Sequence, residues 1–157
     1  MKDITIRAAR LDDLEALNQM MYDLHDFHHQ ANPALFKTAH DVEQEKSIAR
    51  YLDHPECFVF VAQTDQLVGF ISGHFCELMS PIVEPVQMGS IDEMFVVSNH
   101  RNQGVAQLLF DRIQQSFIDC GVEQLFVEAW DFNQPALGFY KKSGFINHIH
   151  YLRKPLV

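Results

Sequence analysis

Residues 90–115 read SIDEMFVVSNHRNQGVAQLLFDRIQQ, and this stretch decides the fold. Residues 89–97 are rich in β-branched and aromatic side chains and predict a buried strand. The turn SNHRNQG follows. From there apolar side chains return at helical spacing, at Val105, Leu108, Leu109, Ile113 and Phe117, until Cys120 and Gly121 close the helix. A strand feeding a helix through such a turn is a unit of α/β architecture, and the turn lies at the carboxyl end of the strand, where ligands of these folds collect. A helix start presents unpaired N–H groups and a partial positive charge, which suits a pyrophosphate. Gly104 allows close backbone approach, Ala106 keeps the helix start narrow, and Arg101 brings a fixed charge.

Outward from this unit the periodicities are consistent. Residues 3–8 alternate and predict a first strand; Leu14, Leu17, Met21, Leu24 and His28 mark a helix with Asp12 or Asp13 as its cap and Pro33 as its limit. A second helix is expected from Asp41 to just before His54 and Pro55. CFVFVAQ and LVGFISGHFCEL predict two strands joined at Thr64, Asp65 and Gln66, and residues 79–88, with Pro81 and Pro85, a loop. After the central helix, EQLFVEAW predicts a strand and NQPALGFYKKSG a helix capped by Asn133. FINHIHYLRK predicts a last strand. The phenylalanine-rich core is expected chiefly from Phe58, Phe60, Phe70, Phe75, Phe95 and Phe126, with Trp130 and Phe132 capping it or, as the alternative, lining part of an acceptor pocket.

Composition narrows the function classes. The chain has 157 residues, 47% of them hydrophobic, with 13 Phe, which suits one globular domain over residues 1–157. No apolar run reaches the length of about 18 residues that spans a bilayer, and no signal peptide is recognisable, so a cytoplasmic protein is expected. Cys57, Cys76 and Cys120 are odd in number and widely spaced, as free thiols in a reducing compartment are. A net charge of −9 argues against nucleic acid as a partner and is compatible with a cationic substrate. His25, His28 and His29 have a spacing metals can use, but no third ligand follows in a recognisable pattern, so no metal is expected.

Alone, Arg-x-x-Gly-x-Ala is a common pattern, without the glycines of a dinucleotide fold or the lysine of a triphosphate loop. Two motifs in order carry more. Arg101, Gly104 and Ala106 are followed by Asn133, Ala136, Phe139, Tyr140, Gly144 and Phe145. Together they resemble the GNAT superfamily of acetyl-CoA-dependent N-acetyltransferases, in particular its bacterial small-amine and polyamine members, over nearly the whole chain. The resemblance implies a single α/β domain with a mixed, mostly antiparallel sheet of about six to seven strands and about four helices, splayed between the fourth and fifth strands.

The resemblance also implies roles. Acetyl-CoA would lie in the splay, its pantetheine arm against the backbone of Phe95, Val96 and Val97. Its pyrophosphate would lie on the N–H groups of Asn102, Gln103, Gly104, Val105 and Ala106, with the charge of Arg101 beside it and Gln107 nearby. Asn133 and Ala136 would line the thioester side. Tyr140 matches the family's proton donor to the departing sulfur, and a phenol can serve there without carrying charge. An alkylamine is protonated at neutral pH, since its pKa is about 10, so a proton must leave the acceptor. Asp92 or Glu93 on the fourth strand would take it, directly or through water. Strand alternation places these two on opposite faces, so only one is expected to face the acceptor; Asp92 is preferred and Glu93 stays open. Glu128 is a weaker candidate for holding a cationic acceptor.

The expected activity is acetyl transfer by direct attack in a ternary complex, to a polyamine or diamine first and an aminoglycoside or amino acid next. A protein N-terminus or lysine is an alternative acceptor, in a groove near residues 28–40 and 79–88. A non-catalytic acyl-CoA sensor is an alternative of another class. Many relatives are dimers, which makes a homodimer an expected state.

Overall fold

The computed structural model describes residues 3–157. Its first unit runs to Val127 and its second is Glu128–Val157. The strands are β1 (Thr5–Ala8), β2 (Cys57–Gln63), β3 (Leu67–Leu78), β4 (Val86–Val96) and β5 (Gln124–Val127), hydrogen-bonded in that order. The first three pairings are antiparallel and β4–β5 is parallel, so the sheet is mixed. The helices are α1 (Leu14–Ala31), α2 (Ala39–Glu45), α3 (Ala49–Leu52), α4 (Val105–Asp119) and, in the second unit, α5 (Gln134–Lys142).

Helices cover both faces of the sheet. On one side Leu17, Met20 and Met21 of α1 pack with Ile48, Val59, Val61 and Phe70. On the other, Val105, Leu109, Phe110, Ile113 and Phe117 of α4 are buried. Gly73 and Gly89 admit that helix: a Cβ at Gly73 would stand 3.0 Å from the Phe117 ring and only 2.4 Å from the Ser90 carbonyl. Leu108, expected inside, is 43% exposed, and Phe110 takes its place. Of the expected core phenylalanines, Phe60 and Phe70 are fully buried, while Phe58, Phe75, Phe95 and Phe126 are partly so.

The start of α1 is held by a bidentate contact. Asp13 accepts from both terminal nitrogens of Arg7, at 2.8 and 2.9 Å, and from the Arg10 backbone N–H at 2.7 Å. Its carboxyl sits below the usual carboxylate range, chiefly because of the Arg7 hydrogen bonds.

Three expectations are corrected. The second helix is two short ones, α2 and α3, because the chain turns extended at Lys46, where φ is −130° and ψ 126°. The sheet has five strands, not six or seven, because residues 145–157 form no strand. That stretch has the composition of a strand, yet Ile146, Ile149, Tyr151 and Leu152 are 82–97% exposed. A strand exists through its pairing, and composition without a partner does not make one. Trp130 and Phe132 are exposed rather than core-capping, at 50% and 39%.

Candidate active site

The parallel ladder of β5 on β4 runs from Met88 opposite Gln124 to Ile91 opposite Val127. β4 continues to Val96 with only β3 beside it in the sheet. The sheet therefore forks after Ile91, and the outer backbone edge of residues 92–96 is left for an extended ligand to add to. Phe95 and Val97 turn their side chains into the core beneath α1. The Val97 N–H bonds inward to Val68, whereas the Val96 carbonyl accepts from Arg101 Nε at 2.8 Å. Arg101 also stands 5.3 Å from the Phe95 ring centroid. Its guanidinium thus lies at the end of β4 rather than over the start of α4.

Between β4 and α4 the chain makes a 3-10 turn, Ser98–His100, then two left-handed residues, Asn102 (φ 61°) and Gly104 (φ 81°). Gly104 is the residue before α4, and a Cβ there would meet nothing within 4 Å. Its conformation calls for glycine, and the space in front of it is open. The first helical hydrogen bond is from Leu108 N–H to the Gly104 carbonyl, so the N–H groups of Val105, Ala106 and Gln107 precede the ladder. An open helix start beside an open strand edge fits the pyrophosphate and amide arm of coenzyme A. Gln103 donates to the Asn99 carbonyl and Gln107 to Asp111, so both side chains brace the turn and helix.

At the fork the register slips. Ser72 pairs with Glu93 but Gly73 pairs with Ile91, leaving Asp92 as an extra residue, a β-bulge. Simple alternation fails here, and both carboxylates lie on the α1 side of the sheet, the side of Phe70, Ser72 and His74. Asp92 Oδ2 accepts from the Tyr51 hydroxyl at 2.7 Å and from His74 Nδ1–H at 2.6 Å, and Oδ1 accepts from the Ser90 hydroxyl at 2.7 Å. Glu93 is buried. Its Oε2 accepts from the Ser72 hydroxyl, which in turn accepts from the Glu93 N–H at 3.1 Å. Its Oε1 stands 2.5 Å from Lys46 Nζ, an ionic contact without hydrogen-bond alignment. Tyr51, His74, Ser72 and Lys46 carry no motif and were not singled out in the sequence; a bulge that joins them is not visible there.

The surrounding groups are held neutral. Burial and the Asp92 hydrogen bond push the Tyr51 phenol far above its usual range, and burial with Asp92 and Glu56 raises the Cys57 thiol. On α1, burial, Lys46 and His28 bring His25 down to about 4. The histidines at the end of α1 make packing and hydrogen-bond contacts. His28 stacks on Phe36, and His29 Nδ1 is 2.8 Å from the Phe36 carbonyl. Among the described residues no three His, Cys, Asp or Glu side chains group as metal ligands.

In the second unit, Asn133 caps α5, its side chain accepting from the Ala136 N–H at 3.3 Å. Tyr140 is buried edge-on between Phe139 and Phe145, and burial lifts its phenol to about 12. Glu128 is exposed.

An acetyltransferase (GNAT) family model matches residues 19–145. An acetyltransferase from Vibrio fischeri is 49% identical, aligned over 80% of this chain and 96% of that one, with a TM-score of 0.67. A mutant of the BH1408 protein from Bacillus halodurans, 19% identical, shares the fold over 98% of this chain and 99% of its own at a TM-score of 0.87. So does the aminoglycoside N-acetyltransferase AAC(6')-Iy, solved in complex with CoA: it is 18% identical, with 98% and 96% covered, at a TM-score of 0.70. Among curated proteins none matches. A mixed five-stranded sheet forked after Ile91, with a helix start open beside the fork, is the frame of a coenzyme A-dependent acyltransferase. The chain belongs to the GNAT acetyltransferase family and is an acetyl-CoA-dependent acetyltransferase.

Proposed function

We propose that the protein acetylates a primary amine of a small molecule: a polyamine or diamine first, an aminoglycoside or amino acid next. The observation that carries this reading is the β4 bulge, which turns Asp92 and Glu93 to one side of the sheet at the fork. Lys46 balances Glu93, so Asp92 is the carboxylate there that favours a cationic acceptor, and the chain's charge of −9 favours its approach. AAC(6')-Iy, which shares the fold, is an aminoglycoside acetyltransferase.

In this reading the backbone of Phe95, Val96 and Val97 holds the amide arm of the cosubstrate. The turn from Arg101 through Asn102, Gln103, Gly104, Val105 and Ala106, with Gln107, holds the pyrophosphate. Asn133 and Ala136 serve the thioester side. When bound, acetyl-CoA supplies the activated acyl group. The acceptor's neutral nitrogen attacks directly, its proton leaves toward the Asp92–Glu93 end of β4, and Tyr140, protonated across the working pH range, donates to the departing sulfur.

A second reading, acetylation of a protein N-terminus or lysine, is favoured by exposed apolar side chains in the two segments that would border a peptide. Leu35 is 45% exposed, Met79 67%, Ile82 90% and Val83 53%. CoA release from acetyl-CoA, followed with purified protein across spermidine, putrescine, an aminoglycoside, amino acids and peptide N-termini, separates the two. Turnover on small amines supports the first reading, and turnover on peptides alone replaces it with the second. Acetyl-CoA binding without turnover on any acceptor would point to a sensor.

A further inference from the structure

We propose that His74 is the group that takes the proton from the acceptor nitrogen, with Asp92 as its positioning residue; this rests on the amine-acetylation reading above. The two acids on β4 are poorly placed to do so themselves. Three donors converge on the two oxygens of Asp92, which uses most of their acceptor capacity, and its side chain is only 16% exposed. Glu93, 3% exposed, is sealed under Lys46 and Ser72. The imidazole of His74, at 39%, is the accessible member of the network.

The geometry sets its chemistry. Because a carboxylate can only accept, His74 donates Nδ1–H to Asp92, and in the neutral ring this leaves the Nε2 lone pair as acceptor. Nε2 makes no hydrogen bond among the described residues. Asp92 also stabilises the positive charge that appears on the ring when Nε2 is protonated. Tyr51 on α3, with its raised phenol, stays a donor to Asp92 and does not compete as a base. Cys57, opposite His74 on β2, is held as a thiol by burial, Asp92 and Glu56, and Glu93 on β4 carries the Lys46 ammonium at 2.5 Å. The pair stands where it would be needed: His74 is paired with Ser90, and Asp92 is the first residue past the end of the β5 ladder.

The protons balance. An ammonium acceptor loses two on becoming an amide. One passes to His74 Nε2 and on to solvent, leaving a nitrogen lone pair that bonds to the carbonyl carbon. The carbon–sulfur bond breaks with its electron pair on sulfur, which takes the Tyr140 proton; the second nitrogen proton is lost to solvent, and solvent reprotonates the phenolate.

The test uses the full chain with its best small amine. His74→Gln is expected to lower kcat/KM for the amine by about 10²-fold near neutral pH and to make it climb with pH toward the amine's own pKa of about 10, with acetyl-CoA binding by calorimetry unchanged. Added imidazole is expected to restore part of the rate to His74→Ala. Asp92→Asn, which no longer fixes the ring with Nδ1–H toward position 92, should lower kcat with little change in KM for the amine, a split that a purely structural role would not give. Retained acetyl-CoA binding certifies each variant as folded, and His74→Asn replaces any that fails. Wild-type amine turnover that survives unchanged in His74→Gln, pH profile included, overturns the role of His74 and leaves the amine reading standing. Absence of amine-dependent turnover in the wild type, with acetyl-CoA bound, overturns both.

Discussion

Lys46 Nζ stands 2.5 Å from Glu93 Oε1, so a half-exposed ammonium from the residue after α2 neutralises a carboxylate that is 3% exposed on β4. Asp92, its neighbour on the same side, draws on Tyr51, His74 and Ser90 instead. Two adjacent carboxylates turned one way need separate partners, and α2, α3 and β3 supply them.

Removing Lys46 alone strands a buried charge. Lys46→Met is expected to cost about 1–3 kcal/mol in urea denaturation, less than the loss of a fully buried partner because the ammonium is half in water. The double variant Lys46→Met, Glu93→Gln should recover much of that. Equal losses in the single and double variants would show that the Glu93 charge, once unpaired, costs nothing.

Stability should fall on acidification before any carboxylate of the Arg7–Asp13 contact is protonated. Burial holds His25 at about 4 when folded, against an ordinary 6.5, and His28 is lowered too. Between those values the unfolded chain binds a proton that the folded chain refuses, so stability declines as pH falls through that window and is unaffected by His25 above it. His25→Phe is expected to flatten the decline in urea midpoints measured across it. Asp13, already below its ordinary 3.8, contributes only at lower pH.

Gly104→Val places a β-branched residue at φ 81° where a Cβ meets no neighbour, so its cost is conformational, about 1–2 kcal/mol. The helix start is expected to shift and acetyl-CoA affinity to fall, measured by calorimetry. Gly104→Asn, which tolerates the left-handed region, should lose less of both.

Tyr140→Phe removes the hydroxyl proposed to protonate the sulfur and leaves its two edge-on ring neighbours, Phe139 and Phe145, in place. We expect kcat to drop about 10²-fold with little change in acetyl-CoA affinity. An amine with normal kcat in this variant would show that sulfur leaves without help from the phenol.

The strand–turn–helix at residues 90–119 was legible because period-two and period-3.6 patterns meet there at a turn whose glycine has a conformational reason. The cap of α5 at Asn133 was legible for the same kind of local reason. The shared side of Asp92 and Glu93 was not, since a bulge between Ser72 and Gly73 is a property of two strands together and leaves no mark on either alone. His74 sat in a strand read as core, and only the register that sets it opposite Ser90 brings it to Asp92. The last stretch failed in the opposite sense: residues 145–154 look like a strand, but strand content depends on what lies alongside.

The fork after Ile91 also bears on how such a protein can change its acceptor. Along residues 92–96 what the open edge offers a ligand is main chain, and the main chain is the same whatever side chains it carries. With the donor on this edge, as proposed, its grip is insulated from most substitutions, while side chains on α1 to α3 and on β3 are free to vary. A lineage built this way can exchange one acceptor for another in a few steps without having to relearn coenzyme A.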